Sequence, residues 1–291
     1  MAFDNTDDPV NRQKAITPQF LRKLHLLGSN PRVEANLHDH AVDLIIGAYF
    51  FAMRSCEYVR PTKPGKTKTL LLRHLVFRDW RKKIIPHTDP KLAAKMEYCT
   101  VCFEDQKNGM KQDSRTQRRT RDPLLCPSRL ARAVRRVVTT VPNWSADTHL
   151  CSLHLNHNTH TISQAFTLKL LRHTCKTFGG RETFGFDAHE IGNKSLRSGA
   201  AMALFLKNHS VAKIMILGRW SSDAFLVYIR PQVLEWANNM STDMTNFDSF
   251  LDVGMHDIAS KSDPMTSRRR VTLNGRSSPS TVIIPAFDLH N

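Results

Sequence analysis

Long apolar runs are missing from this sequence. No stretch approaches the ~20 apolar residues that a membrane-spanning helix needs. Hydrophobic residues still make up 41% of the 291 residues, enough for a sizeable core in one large domain or two small ones. The opening MAFDNTDDPVNRQ is polar and acidic and lacks the pattern of a secretory signal. Cysteine is sparse. Cys56, Cys99, Cys102, Cys126, Cys151 and Cys175 are scattered, which points to reduced thiols in the cytosol or nucleus and not to a disulfide frame. Internal repeats are absent, and so are a metal-binding carboxylate cluster and a cysteine-nucleophile loop. Acid is in short supply: the net charge is +16. Such an excess favours a polyanionic partner, because each cation can displace a counterion from a phosphate. A solvated basic surface or basic tails would give the same sum, but the cations spread across the whole apolar-patterned region, which favours nucleic acid.

What the sequence does hold is organised around Ile191 to Pro231, IGNKSLRSGAAMALFLKNHSVAKIMILGRWSSDAFLVYIRP. The stretch reads as three short helices. Lys194 and Arg197 belong to the first and Tyr228 to the last, with the tight turn Gly218-Arg219-Trp220 between them. Upstream, residues 1–16 read as an extended lead-in, and Thr17-Pro18 starts a helix as cap and first turn. A longer helix is expected over about 36–59, with Leu44, Ile45, Ala48, Phe51 and Ala52 at core spacing. It ends in MRSCEYVRP, which puts Arg54 near a buried helix end, either as a solvated charge or as a phosphate ligand. Residues 69–86 and 96–118 carry strand signals. Asn108-Gly109 is a hairpin turn, with Lys107 at its tip and RTQRRTR continuing as a basic arm. Leu125-Cys126-Pro127-Ser128 caps the next helix, RLARAVRRVVTTV, residues 142–160 form an irregular His-rich connection, and Thr161 opens a helix that ends at Gly179-Gly180. Residues 181–193 read as a loop. An amphipathic helix follows Pro231, and the Ser-, Arg- and Pro-rich tail from about Ser260 is expected to be disordered.

Cys99-x-x-Cys102 and His149, Cys151, His154, His157 and His160 raise the question of zinc. Metal is the lesser reading, because an offset of three in a strand puts the two cysteines on opposite faces. Tyr228 is open to two readings. Phe225, Leu226, Tyr228 and Ile229 fit one apolar helix face, so it could be plain core. Ser221-Ser222 can cap that helix and Pro231 disfavours helix at Arg230, so it also falls near a helix end, where a side chain can be released. For Trp220 and Arg219 the bland reading is core and surface charge.

Four segments together carry a resemblance. MRSCEYV, FEDQKNGMK, GNKSLRSGAA and LGRWSSDAFLVYIR resemble, in order, the motifs of the tyrosine recombinases, or phage-type integrases, and more closely the branch found in eukaryotic mobile elements. The likeness covers about residues 17–245. It implies a mainly α (α+β) fold: a helical core with a small antiparallel β-sheet, over 17–250, followed by a disordered tail at 251–291. It implies DNA strand cleavage and rejoining, in recombination or DNA integration, through a 3′-phosphotyrosyl link. Tyr228 would be the nucleophile, Arg54 and Arg197 the phosphate ligands and Lys107 the general acid, with Lys111 as second choice for that acid. Lys194, Arg219 and Trp220 would complete the site, and Lys111, Arg115, Arg118 and Arg119 would contact DNA. No cofactor is implied, since the bond energy is kept in the protein–DNA link. The implied partners are double-stranded DNA and further copies of the chain assembled on it, through about 232–250, with no membrane and no small-molecule substrate. An intracellular location is implied, nuclear in a eukaryote.

The sequence departs from the family pattern in three places. Lys194 stands where histidine is usual, and it cannot act as a base unless its pKa is lowered. Arg219, nine residues before Tyr228, stands where histidine or tryptophan is usual, with Trp220 next to it. Only about sixteen residues precede the first helix, where the family carries a helical DNA-clamping domain; a fragment, weak clamping or a partner-supplied half would each account for that. The alternative function is therefore a catalytically impaired, non-enzymatic DNA-binding relic of a mobile-element recombinase. Arg268-Arg269-Arg270 could aid nuclear import or DNA contact.

Overall fold

Helix α1, Pro18–Leu26, starts where Thr17 and Pro18 place it. The Thr17 hydroxyl accepts the Phe20 amide at 3.2 Å, and Pro18 occupies a first-turn position that needs no N–H donor. Phe20, Leu21 and Leu24 form its buried stripe. The computed structural model describes residues 13–27, 35–63, 65, 67–105 and 111–220. The tip at Asn108-Gly109, the third helix of the 191–231 stretch, the helix after Pro231 and the tail all lie outside them.

Helix α2, Ala35–Phe50, is buried along most of its length and forms the centre of the core, with Leu44, Ile45 and Ala48 fully buried. Each such side chain contributes ~1.5–3 kcal/mol by leaving water. Helix α5, Ser128–Thr140, lies against it. Gly47 permits the close approach: a β-carbon there would come within 2.5 Å of the Leu130 side chain. The two helices are also joined by buried charge. Asp43 accepts Arg129 Nη1 at 3.0 Å and is paired with Arg136 as well.

The expected long helix over 36–59 breaks in two. Ala52 adopts a left-handed φ of 45°, and the Met53 amide turns back to Ala48 O at 3.1 Å. A short helix, α3, Ser55–Tyr58, then follows.

The sheet is antiparallel, in the order β2-β1-β3-β4, from β1 (Leu75–Arg78), β2 (Ile84–Ile85), β3 (Tyr98–Asp105) and β4 (Lys111–Arg118). Cys99, Val101 and Phe103 alternate inward on β3 and are buried. Cys102 falls on the opposite face from Cys99, as the offset of three predicts. A short helix, α4, Leu92–Lys95, joins β2 to β3. The mainly helical, α+β arrangement with a small antiparallel sheet is thus the predicted one.

Two connections hold more structure than the sequence predicts. The His-rich stretch pairs as a hairpin, β5 (Ser152–Leu155) with β6 (Asn158–Thr161), turning on Asn156 and His157 at φ 48° and 63°. Thr161 therefore ends a strand. Ser163 is the cap of helix α6, Gln164–Thr177, and its hydroxyl accepts Phe166 N at 3.2 Å. After the left-handed Gly179 comes a five-residue helix, α7, Gly180–Phe184, and then one 3-10 turn, Ala188–Glu190, inside the expected 181–193 loop.

Helices α8, Ser195–Phe205, and α9, Val211–Gly218, close the described part. The segment before α1 runs along the start of α8: Lys14 N–H donates to Glu190 O and Ile16 N–H to Ser195 O, each at 3.0 Å. Gly199 is what lets it lie so close, since a β-carbon there would stand 1.9 Å from Ile16 O. Among the described residues no helix is long and apolar enough to cross a membrane.

Candidate functional site

The break after α2 builds one wall of the site. Because Ala52 reverses the chain, the Phe51 carbonyl is released from the helix and accepts Arg219 Nη1 at 3.0 Å. Arg54 then stands at the N-cap of α3, and Glu57, three residues on, folds back over it. The Glu57 carboxylate accepts the Arg54 amide at 2.7 Å and Arg54 Nη1 at 3.0 Å. It also accepts Arg219 Nη2 at 2.7 Å. Glu57 and Arg219 are both fully inside, with side chains 1% and 0% exposed, while that of Arg54 is 23% exposed. A buried carboxylate is tolerated only when paired and hydrogen-bonded, and here three donors meet it.

Helix α9 delivers Arg219. Ser210 caps its start, accepting Lys213 N at 3.4 Å, and Arg219 ends it with a left-handed φ of 57°. The guanidinium passes inward beneath the sheet, with its central carbon 3.6 Å from the Phe103 ring centre. Burial lowers the Arg219 pKa, the Glu57 carboxylate raises it, and Arg54 and Arg115 lower it. Arginine stays charged through such shifts.

Gly218 and Trp220 set the second arginine. Trp220 N–H donates back to Met215 O at 3.0 Å, which folds the indole over the end of α9. Only glycine leaves room for this, since a β-carbon at 218 would fall 1.6 Å from the indole ring. The Arg197 guanidinium lies 4.3 Å from the indole centre and donates to the Gly218 carbonyl. The indole face and the negative end of α9 both favour a cation there. Arg197 comes from the first turn of α8 and is 7% exposed.

A continuous chain results: Arg54, Glu57, Arg219, Gly218, Arg197. It joins residues far apart in sequence: two cations, Arg54 and Arg219, meet one carboxylate, and a third, Arg197, meets the carbonyl next to Arg219. Lys194 sits one step outside it. It is the exposed N-cap residue of α8, its carbonyl accepts Ser198 N at 2.9 Å, and its amide donates to Gln13 Oε1 at 2.8 Å.

The basic arm divides along β4. Arg115 stays with the cluster: its Nε donates to Ile216 O of α9 at 2.7 Å, and it pairs with Asp113. Arg118 and Arg119 lie at the far end of the sheet. Arg118 is exposed and paired with Glu97 at 2.6 Å. Arg119 donates to Met96 O at 2.6 Å and Ala94 O at 3.0 Å, covering the last carbonyls of α4. Lys111 is the first residue of β4, in register with Asp105. Lys107 and Tyr228 lie outside the described residues. Among the described residues no three His, Cys, Asp or Glu side chains are grouped to hold a metal ion.

Sequence reading passed over Glu57 and Phe103. The signal for Glu57 was present: an acid three residues after an N-cap position is where a carboxylate closes a helix start.

No protein-family model matches the chain, and no curated protein does. Solved structures similar to it include two complexes of one recombinase. One is XerH site-specific recombinase bound to difH substrate in a pre-cleavage complex, with TM-score 0.49 and 15% sequence identity over 78% of this chain and 53% of that one. The other is the same recombinase on a palindromic difH substrate in a post-cleavage complex, with TM-score 0.47 and 16% identity over 79% of this chain and 54% of that one. The chain thus spans about half the length of the structures it matches.

Proposed function

We propose that this chain breaks and rejoins double-stranded DNA through a phosphotyrosyl intermediate. The observation that carries the reading is the arginine chain: Arg54 is fixed on the buried Glu57 carboxylate, which also holds Arg219, and Arg197 is fixed by the neighbouring Gly218 carbonyl and Trp220 indole. Guanidinium groups match phosphate oxygens in pairs and remain charged. Preset cations of this kind stabilise the charge that builds on a phosphate under attack. The net charge of +16 and the four ordered motifs supply the partner and the nucleophile.

The reaction divides among the residues as follows. The Tyr228 phenol oxygen attacks phosphorus as the bond to the 5′ oxygen breaks. Guanidinium groups beside the phenol would favour phenolate. Lys107 donates a proton to the departing 5′ oxygen. Arg54 and Arg197 hold the non-bridging oxygens. Arg219 acts through Glu57: it keeps the carboxylate charged and in place, and Glu57 in turn fixes Arg54. Trp220 fixes Arg197. Rejoining runs the same steps backwards, so no cofactor is needed. In this reading residues 17–250 form the catalytic unit, copies assemble on DNA through about 232–250, and the chain belongs to a mobile element working in a nucleus.

A second reading, DNA binding without chemistry, is favoured by Lys194. It occupies an exposed helix cap where the reaction commonly uses histidine. The test is a nicked-duplex trap, in which cleavage lets a short strand diffuse away and leaves a covalent adduct resistant to SDS. Wild type should form the adduct and Tyr228→Phe should not. No adduct from wild type, with one from Lys194→His, would establish the second reading.

A further inference from the structure

The turn between β1 and β2, residues 79–83, is braced from within. The Asp79 carboxylate accepts the Arg81 and Lys83 amides at 2.9 Å each, and Asp79 N–H donates to Lys83 O at 2.9 Å. Lys82 takes a left-handed φ of 64° to complete it. On this small rigid turn stands Trp80, 70% exposed, the most open large apolar side chain among the described residues. Beside it, Ile84 is 62% exposed. The Arg81 guanidinium lies over one face of the indole, 4.5 Å from its centre. Arg78, Arg81, Lys82 and Lys83 put four cations within six residues. The acid among them, Asp79, is occupied with backbone amides.

This surface is separate from the arginine chain. Arg78 is in register with Tyr98, whereas Arg219 of that chain lies against Phe103, further along β3. The five residue steps between Tyr98 and Phe103 span ~17 Å of strand. An indole held flat-faced in water among lysines has a specific complement: a planar, electron-poor ring flanked by phosphates. An acidic protein surface would satisfy the cations and leave the indole wet. Duplex DNA would satisfy the cations, but its base faces are already stacked on one another.

We propose that the Trp80 turn is a stacking platform for an unpaired nucleic-acid strand. One base stacks on the open face of Trp80, Arg81 backs the other face, and Lys82 and Lys83 meet the phosphates on either side. Strand cleavage at Tyr228 is not required for this contact.

The experiment is an anisotropy titration of the full chain with a labelled oligothymidylate of about 12 nucleotides, within the site sizes typical of such surfaces, and with a duplex of equal length. Wild type should bind the single strand. Trp80→Ala should weaken that binding about tenfold or more, as loss of one base–aromatic stack does, and Trp80→Phe should restore most of it. Duplex binding should change less than about twofold. Lys82→Ala/Lys83→Ala should lower the salt slope by about 1.4, at about 0.7 per phosphate contact on a single strand. Because Trp80 is exposed, unchanged thermal melting of Trp80→Ala will show that the fold is intact. Failure of wild type to bind the single strand overturns the proposal, and so does unchanged binding by Trp80→Ala. Equal loss on duplex would show a wedge for paired DNA instead, and would also overturn it.

Discussion

Removing the charge of Glu57 should unfold the site before it touches any chemistry. Glu57 and Arg219 are 1% and 0% exposed, with their charged atoms 2.7 Å apart. In Glu57→Gln two guanidiniums lose their carboxylate, and one of them is buried. In Arg219→Met the carboxylate keeps only Arg54. Breaking a buried pair from one side costs about 3–5 kcal/mol, whereas an exposed pair costs about 0–1. For a folded unit of 150–250 residues each kcal/mol moves the melting temperature by about 2–4 °C, so either variant should melt roughly 6–20 °C lower. The double variant Glu57→Leu/Arg219→Met should recover much of this loss, because a well-packed apolar pair can replace a buried ion pair at little cost. It should still cleave DNA poorly, because Arg54 has lost the carboxylate that fixes it. Urea denaturation of wild type, Glu57→Leu, Arg219→Met and this double variant gives the coupling energy directly. Single losses below about 1 kcal/mol that simply add would refute the buried pairing.

Three further outcomes follow from the same geometry. Gly218→Ala should push the indole off Arg197, altering the near-UV circular dichroism and costing about 1–3 kcal/mol of overpacking; an unchanged spectrum would contradict the contact. Gly199→Ala sets a methyl against the backbone of Ile16 and should cost at least as much by urea denaturation, while full stability would mean that the 13–17 segment does not lie along α8. His40 is fully buried with its pKa lowered to about 3, by burial first and by Arg136 second, and its Nε2–H donates to Leu150 O at 3.0 Å. The unfolded chain therefore binds this proton first, so stability should fall as pH drops from about 6.5 toward 3 and stay level above about 6.5, by on the order of 4 kcal/mol in all. His40→Gln should flatten that limb, and an unchanged pH profile would show that His40 is not its source.

Much of the architecture is written locally. Thr17-Pro18, the apolar stripe of α1, the inward alternation of Cys99, Val101 and Phe103, and the Gly179 stop each follow from short-range rules. The failures have a common cause in contacts made across the fold. Nothing in the apolar run from Leu44 to Met53 marks the left-handed Ala52; its conformation frees a carbonyl for Arg219, which lies far downstream. Arg219 looks like a surface charge or a phosphate ligand in sequence, and the fold places it inside, on Glu57. Arg115 and Arg119 look like DNA contacts, yet much of their hydrogen bonding goes to main-chain carbonyls of α9 and of the α4 end. A basic residue declares its charge in sequence, not whether protein or solvent receives it. The β5–β6 hairpin is a different case. Leu153 and Leu155 alternate, and Asn156 suits a left-handed turn, but the histidines around them read as loop.

The central claim is that the arginine chain serves a phosphate under attack by Tyr228. The most direct measurement is the covalent trap on nicked duplex DNA, run with wild type, Tyr228→Phe, Arg54→Ala and Arg197→Ala. An SDS-resistant adduct with wild type, lost in Tyr228→Phe and strongly reduced in both arginine variants, is the predicted result. An adduct of equal yield with Tyr228→Phe, or one indifferent to Arg54 and Arg197, would contradict it.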